Sequence, residues 1–314
     1  MRIIQLYKPR LHKLKKPVVA IGIFDGVHRG HQQLIIKTIR EAKKIGGTSV
    51  VMTFWPHPEQ VLRPQHKLSL LVSLPYRLKL LESLGVDVCF VIPFTRSFSR
   101  LSPEEFVQRY LVGVINPVEV FVGYDFRFGQ NRTGDIQVFQ EIGERYGFRV
   151  NMVQAVKINK QIISSTNLRQ LIMDGQLDKA RRFLGRPVSV WGIVRKGHGR
   201  GKNLGFPTAN INLDNEVIPP RGVYAVRVEM AGKKFLGMAN IGCRPSFNRL
   251  NRDINIEVHI FDFKKEIYQK AIIIEFIKKI RNERFFHSQD ELIRQLNQDE
   301  THARRFLANS SSSS

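Results

Sequence analysis

Cysteine is scarce in this sequence. The two present, Cys89 and Cys243, lie far apart and neither belongs to a CxxC spacing. That pattern argues against a disulfide framework and a thiolate zinc site, and both residues read as small buried hydrophobes. Long apolar runs are missing too. No window approaches eighteen consecutive apolar residues, so no transmembrane helix is expected. Charges interrupt every apolar run of the basic stretch "MRIIQLYKPRLHKLKKPVVAIG", so no signal-peptide core is expected and the cytoplasm is the default location. Acidic residues are few: 27 Asp and Glu against 50 Lys and Arg, a net charge of +23. The excess favours anionic partners: nucleic acid, nucleotides or phosphates. It is spread along the chain, and no basic stripe interleaved with stacking aromatics stands out. A nucleic-acid binder is therefore the rival reading and a phosphate-handling enzyme the favoured one.

What is present is enough apolar material for two domains in 314 residues, at 42% hydrophobic. The first half alternates apolar runs ("PVVAIGIF", "TSVVMTF", "VDVCFVI", "VEVFVG", "FRVNMVQAV") with helical patterns ("HQQLIIKTIREAKKIG", "PYRLKLLESLG", "SPEEFVQRYLVG", "GDIQVFQEIGERYG"). Such alternation predicts a parallel, doubly wound sheet. Ser102, Pro103 and Glu105 form a capping-box signature, and "WPHPEQVLRP" reads as a loop. Two short helices, "STNLRQLIMDG" and "LDKARRFLG", follow. Beyond Arg186 the texture changes to short strands and turns, which predicts an antiparallel barrel or sandwich. A closing helix over "SQDELIRQLNQDETHARRFL" starts at a Ser288 N-cap. The expected domains are 1–185 and 186–308, with a disordered serine tail at 309–314.

The stretch "GIFDGVHRGH" sits where the first strand turns into the first helix, the place where open α/β sheets bind ligands. Gly26 and Gly30 let the backbone approach a ligand closely. A helix starting near His31 offers free N–H groups and a positive dipole end. The histidines could be metal ligands, packed core residues or phosphate contacts. Zinc lacks a third ligand at a recognisable spacing. Phosphate contact uses the glycines, the strand end, the helix start and both imidazoles. Ser165 and Thr166 read by themselves as a helix cap, which is another anion site. "GHGRGKNLGFPTANI" is a glycine-rich loop without the Gly-Lys-Ser/Thr of a Walker motif, ending in hydroxyl and amide oxygens suited to Mg²⁺.

"GIFDGVHRGH", "GYDFRFGQNRTGD" and "ISSTNLR", followed in order by "PTAN", "GVYAV", "MANIGCRPSF", "IEVHIFDF" and "RNERFFHSQDELIRQLNQD", resemble the prokaryotic bifunctional riboflavin kinase/FMN adenylyltransferases. The resemblance runs from about Pro17 to Leu307. It implies a Rossmann-like nucleotidylyltransferase domain followed by a β-barrel riboflavin kinase domain with a closing helix. It implies ATP as co-substrate, Mg²⁺, and riboflavin, FMN and FAD as substrates and products. In the first domain it implies catalytic roles for His28 and His31. Gly22, Phe24, Asp25, Gly26, Gly30, Ser165, Thr166 and Arg169 are the implied phosphate contacts, and Asp125 and Phe126 lie near flavin or nucleotide. In the second it implies Glu257 as catalytic base, and Gly199, Gly201, Gly205, Pro207 and Asn210 at the phosphates. Thr208 and Asn210 are the implied Mg²⁺ ligands, and Arg281, Glu283 and Phe285 the implied flavin contacts. Strand alternation places Glu257, His259 and Phe261 on one face and Ile256, Val258 and Ile260 on the other. The sequence departs from the family at Ile23 (Asn in many members), at Gln161–Ile162 (a basic residue in many, a contact Lys160 would supply), and at Cys243 and Ser246 (usually Thr).

Overall fold

The computed structural model describes residues 1–7, 11–196, 201, 204–213, 216–243 and 254–309. Gly199 and the serines after Asn309 lie outside the described residues, as does the Cys243 side chain. Contacts divide the chain into two compact units, 1–69 with 74–165, and 70–73 with 166–314.

In the first unit, β1 (Arg2–Gln5), β2 (Pro17–Ile21), β3 (Thr48–Trp55), β4 (Val88–Pro93), β5 (Glu119–Gly123) and β6 (Arg149–Val153) form one sheet. Its order is β1-β4-β3-β2-β5-β6 and every pair is parallel. Consecutive strand residues face opposite layers, so each strand feeds two cores. Ala20, Val51 and Cys89 pack with Leu34, Ile35 and Ile39 of α1 (Arg29–Lys44). After the short α2 (Pro58–Leu62), α3 (Leu74–Ser83) adds Leu74 and Leu81 to the same layer. Their neighbours Val19, Val50 and Phe90 face the opposite layer. There they meet Phe106 of α4 (Pro103–Phe106) and Phe139 and Ile142 of α5 (Ile136–Tyr146). This is the doubly wound arrangement expected. The Ser102–Glu105 capping box forms as predicted. Three local features differ from expectation. β1 adds an edge strand from the basic N-terminal segment. Pro58 at the first helical position, capped by His57, nucleates α2 inside the expected loop. After α4 the chain continues as a π-helical stretch, Val107–Val112, with Gly113 N–H donating to Gln108 O.

Following the hairpin β7 (Lys157–Ile158) and β8 (Gln161–Ile162), α6 (Ser165–Met173) and α7 (Leu177–Leu184) lead into β9 (Val188–Arg195). β10 (Ala209–Asn212), β11 (Gly222–Met230), β12 (Lys233–Cys243), β13 (Ile254–Ile260) and β14 (Ala271–Arg281) complete a closed antiparallel barrel, ordered β10-β13-β12-β11-β14-β9. Of the two all-β alternatives the chain adopts the barrel, whose closure leaves no unpaired edge. Ile256, Val258 and Ile260 are buried on one face of β13, as the alternation requires. The opposite face is not the polar surface its glutamate suggests. Phe261 packs there with Ala225, Met238 and with Ala303 and Leu307 of the C-terminal helix (Gln289–Asn309). Ser288 caps that helix, accepting from Glu291 N–H at 3.2 Å. α7 touches β9 and β14, and the contact division falls between Ser165 and Thr166, ahead of Arg186.

Candidate active sites

β2 and β5 are adjacent and parallel, with Ala20 opposite Phe121. The strand order reverses between them, so their carboxyl ends flank the topological switch point. Both predicted loops leave from there: Gly22–His28 after β2, and Tyr124–Phe126 after β5. Asp25 and His28 are buried, at 2% and 5% exposure. Phe24 adopts a left-handed conformation (φ 54°) and buries its ring over Gly22. That ring meets His31 edge-on at 5.3 Å. Phe24 therefore supports the histidine from behind.

His28 is the N-cap of α1, its Nδ1 accepting from His31 N–H at 3.3 Å. The two imidazoles stack with centroids 3.6 Å apart and planes 17° apart. Gly30 makes the stack possible: a methyl there would stand 3.2 Å from the His28 ring. The first turn of α1 carries no acidic residue, so its dipole end is uncompensated. Burial first, then the charges of His28 and Arg77, hold the His31 imidazole well below its usual pKa range. His31 is thus a neutral ring at pH 7, and its Nδ1 is buried without a hydrogen-bond partner. Among the described residues no group of three or more His, Cys, Asp or Glu is arranged to hold a metal ion.

Ser165 is the first residue of α6, and its hydroxyl donates to Asp25 O at 3.0 Å. It ties the helix start to the histidine loop. Thr166 and Arg169 follow on the same helix. Asp125 is exposed. Phe126 is half-buried, stacked on Phe128 at 5.3 Å, so its ring also serves the aromatic core around Phe139.

In the second unit the register builds a polar row across the barrel. Asn210 lies opposite Glu257, Glu257 opposite Asn240, and Asn240 opposite Val223, which is opposite Arg281. Asn255 donates to Glu257 Oε1 at 2.8 Å and to Asn210 Oδ1 at 3.2 Å. Gly201 starts a turn, its carbonyl accepting from Phe206 N–H at 2.8 Å, and Gly205 lies within it. Pro207 O lies 2.8 Å from His259 Nδ1 and anchors the segment that carries Thr208 and, in β10, Asn210. Arg281 is committed: Nε and Nη2 donate to the fully buried Asp299 at 2.8–3.0 Å, and Nη1 to Asn282 O at 3.0 Å. Glu283 reaches back over β12, where a methyl at Gly242 would stand 2.5 Å from its Oε1. Phe285 projects into solvent, 80% exposed.

A family model described as FAD synthetase matches residues 11–167, and one described as riboflavin kinase matches 184–307. A bifunctional riboflavin kinase/FMN adenylyltransferase of Bacillus subtilis is 38% identical over 94% of this chain and 93% of its own length. One from Escherichia coli is 39% identical over 92% of each. The chain belongs to the bifunctional riboflavin kinase/FMN adenylyltransferase family. It converts riboflavin to FMN and FMN to FAD, with ATP as co-substrate. A Streptococcus pneumoniae crystal structure described as a macrolide-efflux protein shares the fold, with a TM-score of 0.84, 32% identity, and 97% and 99% coverage of the two chains. Among the described residues of this chain, no helix is long and apolar enough to cross a membrane.

The kinase barrel suits Mg²⁺. Thr208 and Asn210 offer hard oxygens, of the kind Mg²⁺ takes. Few protein ligands are what Mg²⁺ takes when phosphates supply the rest. Sequence reasoning missed Asn240 and Asn255 as neighbours of Glu257, although Asn255 shares its strand face two residues away. Asp299 closes the "RNERFFHSQDELIRQLNQD" stretch, but its pairing with Arg281 was missed because a helix aspartate does not show its partner in sequence. Arg77 was missed although it interrupts the apolar stripe of α3.

Proposed function

We propose that the two reactions run at two separate sites, FAD formation in a domain of residues 1–185 and FMN formation in one of residues 186–308. In adenylyl transfer an FMN phosphate oxygen attacks the α-phosphorus of ATP and pyrophosphate leaves. No covalent enzyme intermediate is needed, so positioning and charge stabilisation carry the rate. His28 and His31 stabilise charge on the α-phosphate and the leaving group. Ser165, Thr166 and Arg169 hold the β- and γ-phosphates, and Asp125 and Phe126 lie beside flavin or nucleotide. The single observation that carries this reading is the stacked His28–His31 pair at the uncompensated start of α1. His31→Ala is expected to slow FAD formation from FMN by about 10²–10³-fold, the usual scale for losing a transition-state donor. Undiminished FAD formation would refute the assignment.

In the kinase reaction the riboflavin 5′-hydroxyl attacks the γ-phosphorus, and Glu257 accepts its proton. Asn255 fixes the Glu257 carboxylate. Thr208 and Asn210 would hold Mg²⁺, which when bound neutralises phosphate charge. Arg281 fastens the segment from Glu283 to Phe285 to the C-terminal helix, and Glu283 and Phe285 close over the flavin. The excess positive charge serves these phosphates in preference to nucleic acid. An ATP- and flavin-using enzyme of this kind belongs in the cytoplasm.

A further inference from the structure

Arg77 is a cation where α3 should present an apolar side chain. Leu74, Arg77 and Leu81 share one buried face by their spacing. The Arg77 side chain is wholly enclosed, at 0% exposure. Its Nη1 donates to Phe54 O at 3.4 Å, and its guanidinium lies 5.8 Å from the Trp55 ring centroid. Nε and Nη2 have no hydrogen-bond partner. These two nitrogens form the edge that grips a pair of oxygens at once. Leaving such donors buried and unmatched costs several kcal/mol, which an apolar residue would avoid.

The location gives the reason. Phe54 and Trp55 end β3, next to the carboxyl end of β2. Thr53 Oγ1 donates to Ile23 O at 2.9 Å, joining that end to the histidine loop. His31 Nδ1, also buried and unmatched, lies in the first turn of α1, directly after that loop. The charge on Arg77 is felt at His31, and Asp25 is felt at Arg77. We infer that Arg77 is a further phosphate-binding residue of the adenylyl-transfer site, its Nε–Nη2 edge taking two oxygens of the ATP triphosphate. This rests on the assignment of that site to the His28–His31 loop. A guanidinium suits the task because its planar fork matches phosphate geometry and it stays charged when buried.

The test uses the full chain. Arg77→Gln keeps a polar group near Phe54 O and removes the charge. It is expected to raise the ATP KM of FAD formation about ten-fold or more, the scale of a lost charge-assisted contact. The FMN KM should hold and Arg77→Lys should restore part of the loss. An unchanged ATP KM in folded Arg77→Gln, or a fall in kcat alone, would overturn the inference. A second measurement does not depend on a neutral variant folding. The Arg77 Nε–H resonance, identified by its loss in Arg77→Lys, should shift when inorganic pyrophosphate is added to the wild-type protein. A resonance indifferent to saturating pyrophosphate would overturn the inference. His31→Ala separates the two claims: if it too leaves FAD formation intact, the site assignment has failed, and not merely the role of Arg77.

Discussion

Residue chemistry in the first unit turns on a neutral histidine. His31 is held unprotonated by burial, by His28 and by Arg77, so its pKa is lower folded than unfolded. Below about pH 6.5 the unfolded chain takes up a proton that the folded one refuses, and stability falls as pH drops. Between pH 6.5 and 5 the wild type should lose up to about 1.4 kcal/mol per pH unit more than His31→Gln. Denaturant unfolding across that window checks it, and parallel slopes would contradict it. Gly30→Ala tests the stack by geometry, since its methyl would press on the His28 ring at 3.2 Å. Alanine improves helix propensity by about 1 kcal/mol, so the thermal midpoint should hold while FAD formation falls. A steady-state assay beside a melting curve separates the two effects. The histidine pair was legible because strand end, glycines and helix start coincide in sequence. Arg77 was not, because its meaning depends on which face α3 turns to the sheet.

Elements position the second site. The C-terminal helix covers the barrel through Ala303 and Leu307, and the Arg281–Asp299 pair pins it to β14. Removing one partner strands the other charge in a buried place. Asp299→Ala should therefore destabilise the second unit by about 3 kcal/mol, read from denaturant unfolding, with loss of FMN formation. An unchanged midpoint would show the pair to be dispensable. Sequence periodicity recovered most strands and helices because each buries a regular stripe. It missed β10, since Ala209–Asn212 looks like the tail of a glycine-rich loop, and pairing with β9 and β13 makes it a strand. It also missed the cover on the Glu257 face. A glutamate and a histidine suggest solvent, while Phe206, Phe261 and the helix that bury that face are distant in sequence.

At the scale of the whole molecule, the two proposed phosphate-handling constellations are built by different means. The first uses strand ends and a helix start, and the second uses cross-strand register, with Asn210, Glu257 and Asn240 in one row. The order of motifs along the chain pointed to the family and to both activities. Their separateness is the central claim, and paired variants assayed with chromatographic separation of flavins test it most directly. Given FMN and ATP, His28→Ala should make no FAD, and given riboflavin and ATP it should still make FMN. Glu257→Gln should do the reverse, forming FAD from FMN and no FMN from riboflavin. Loss of both activities from either substitution in a folded protein would contradict the two-site account.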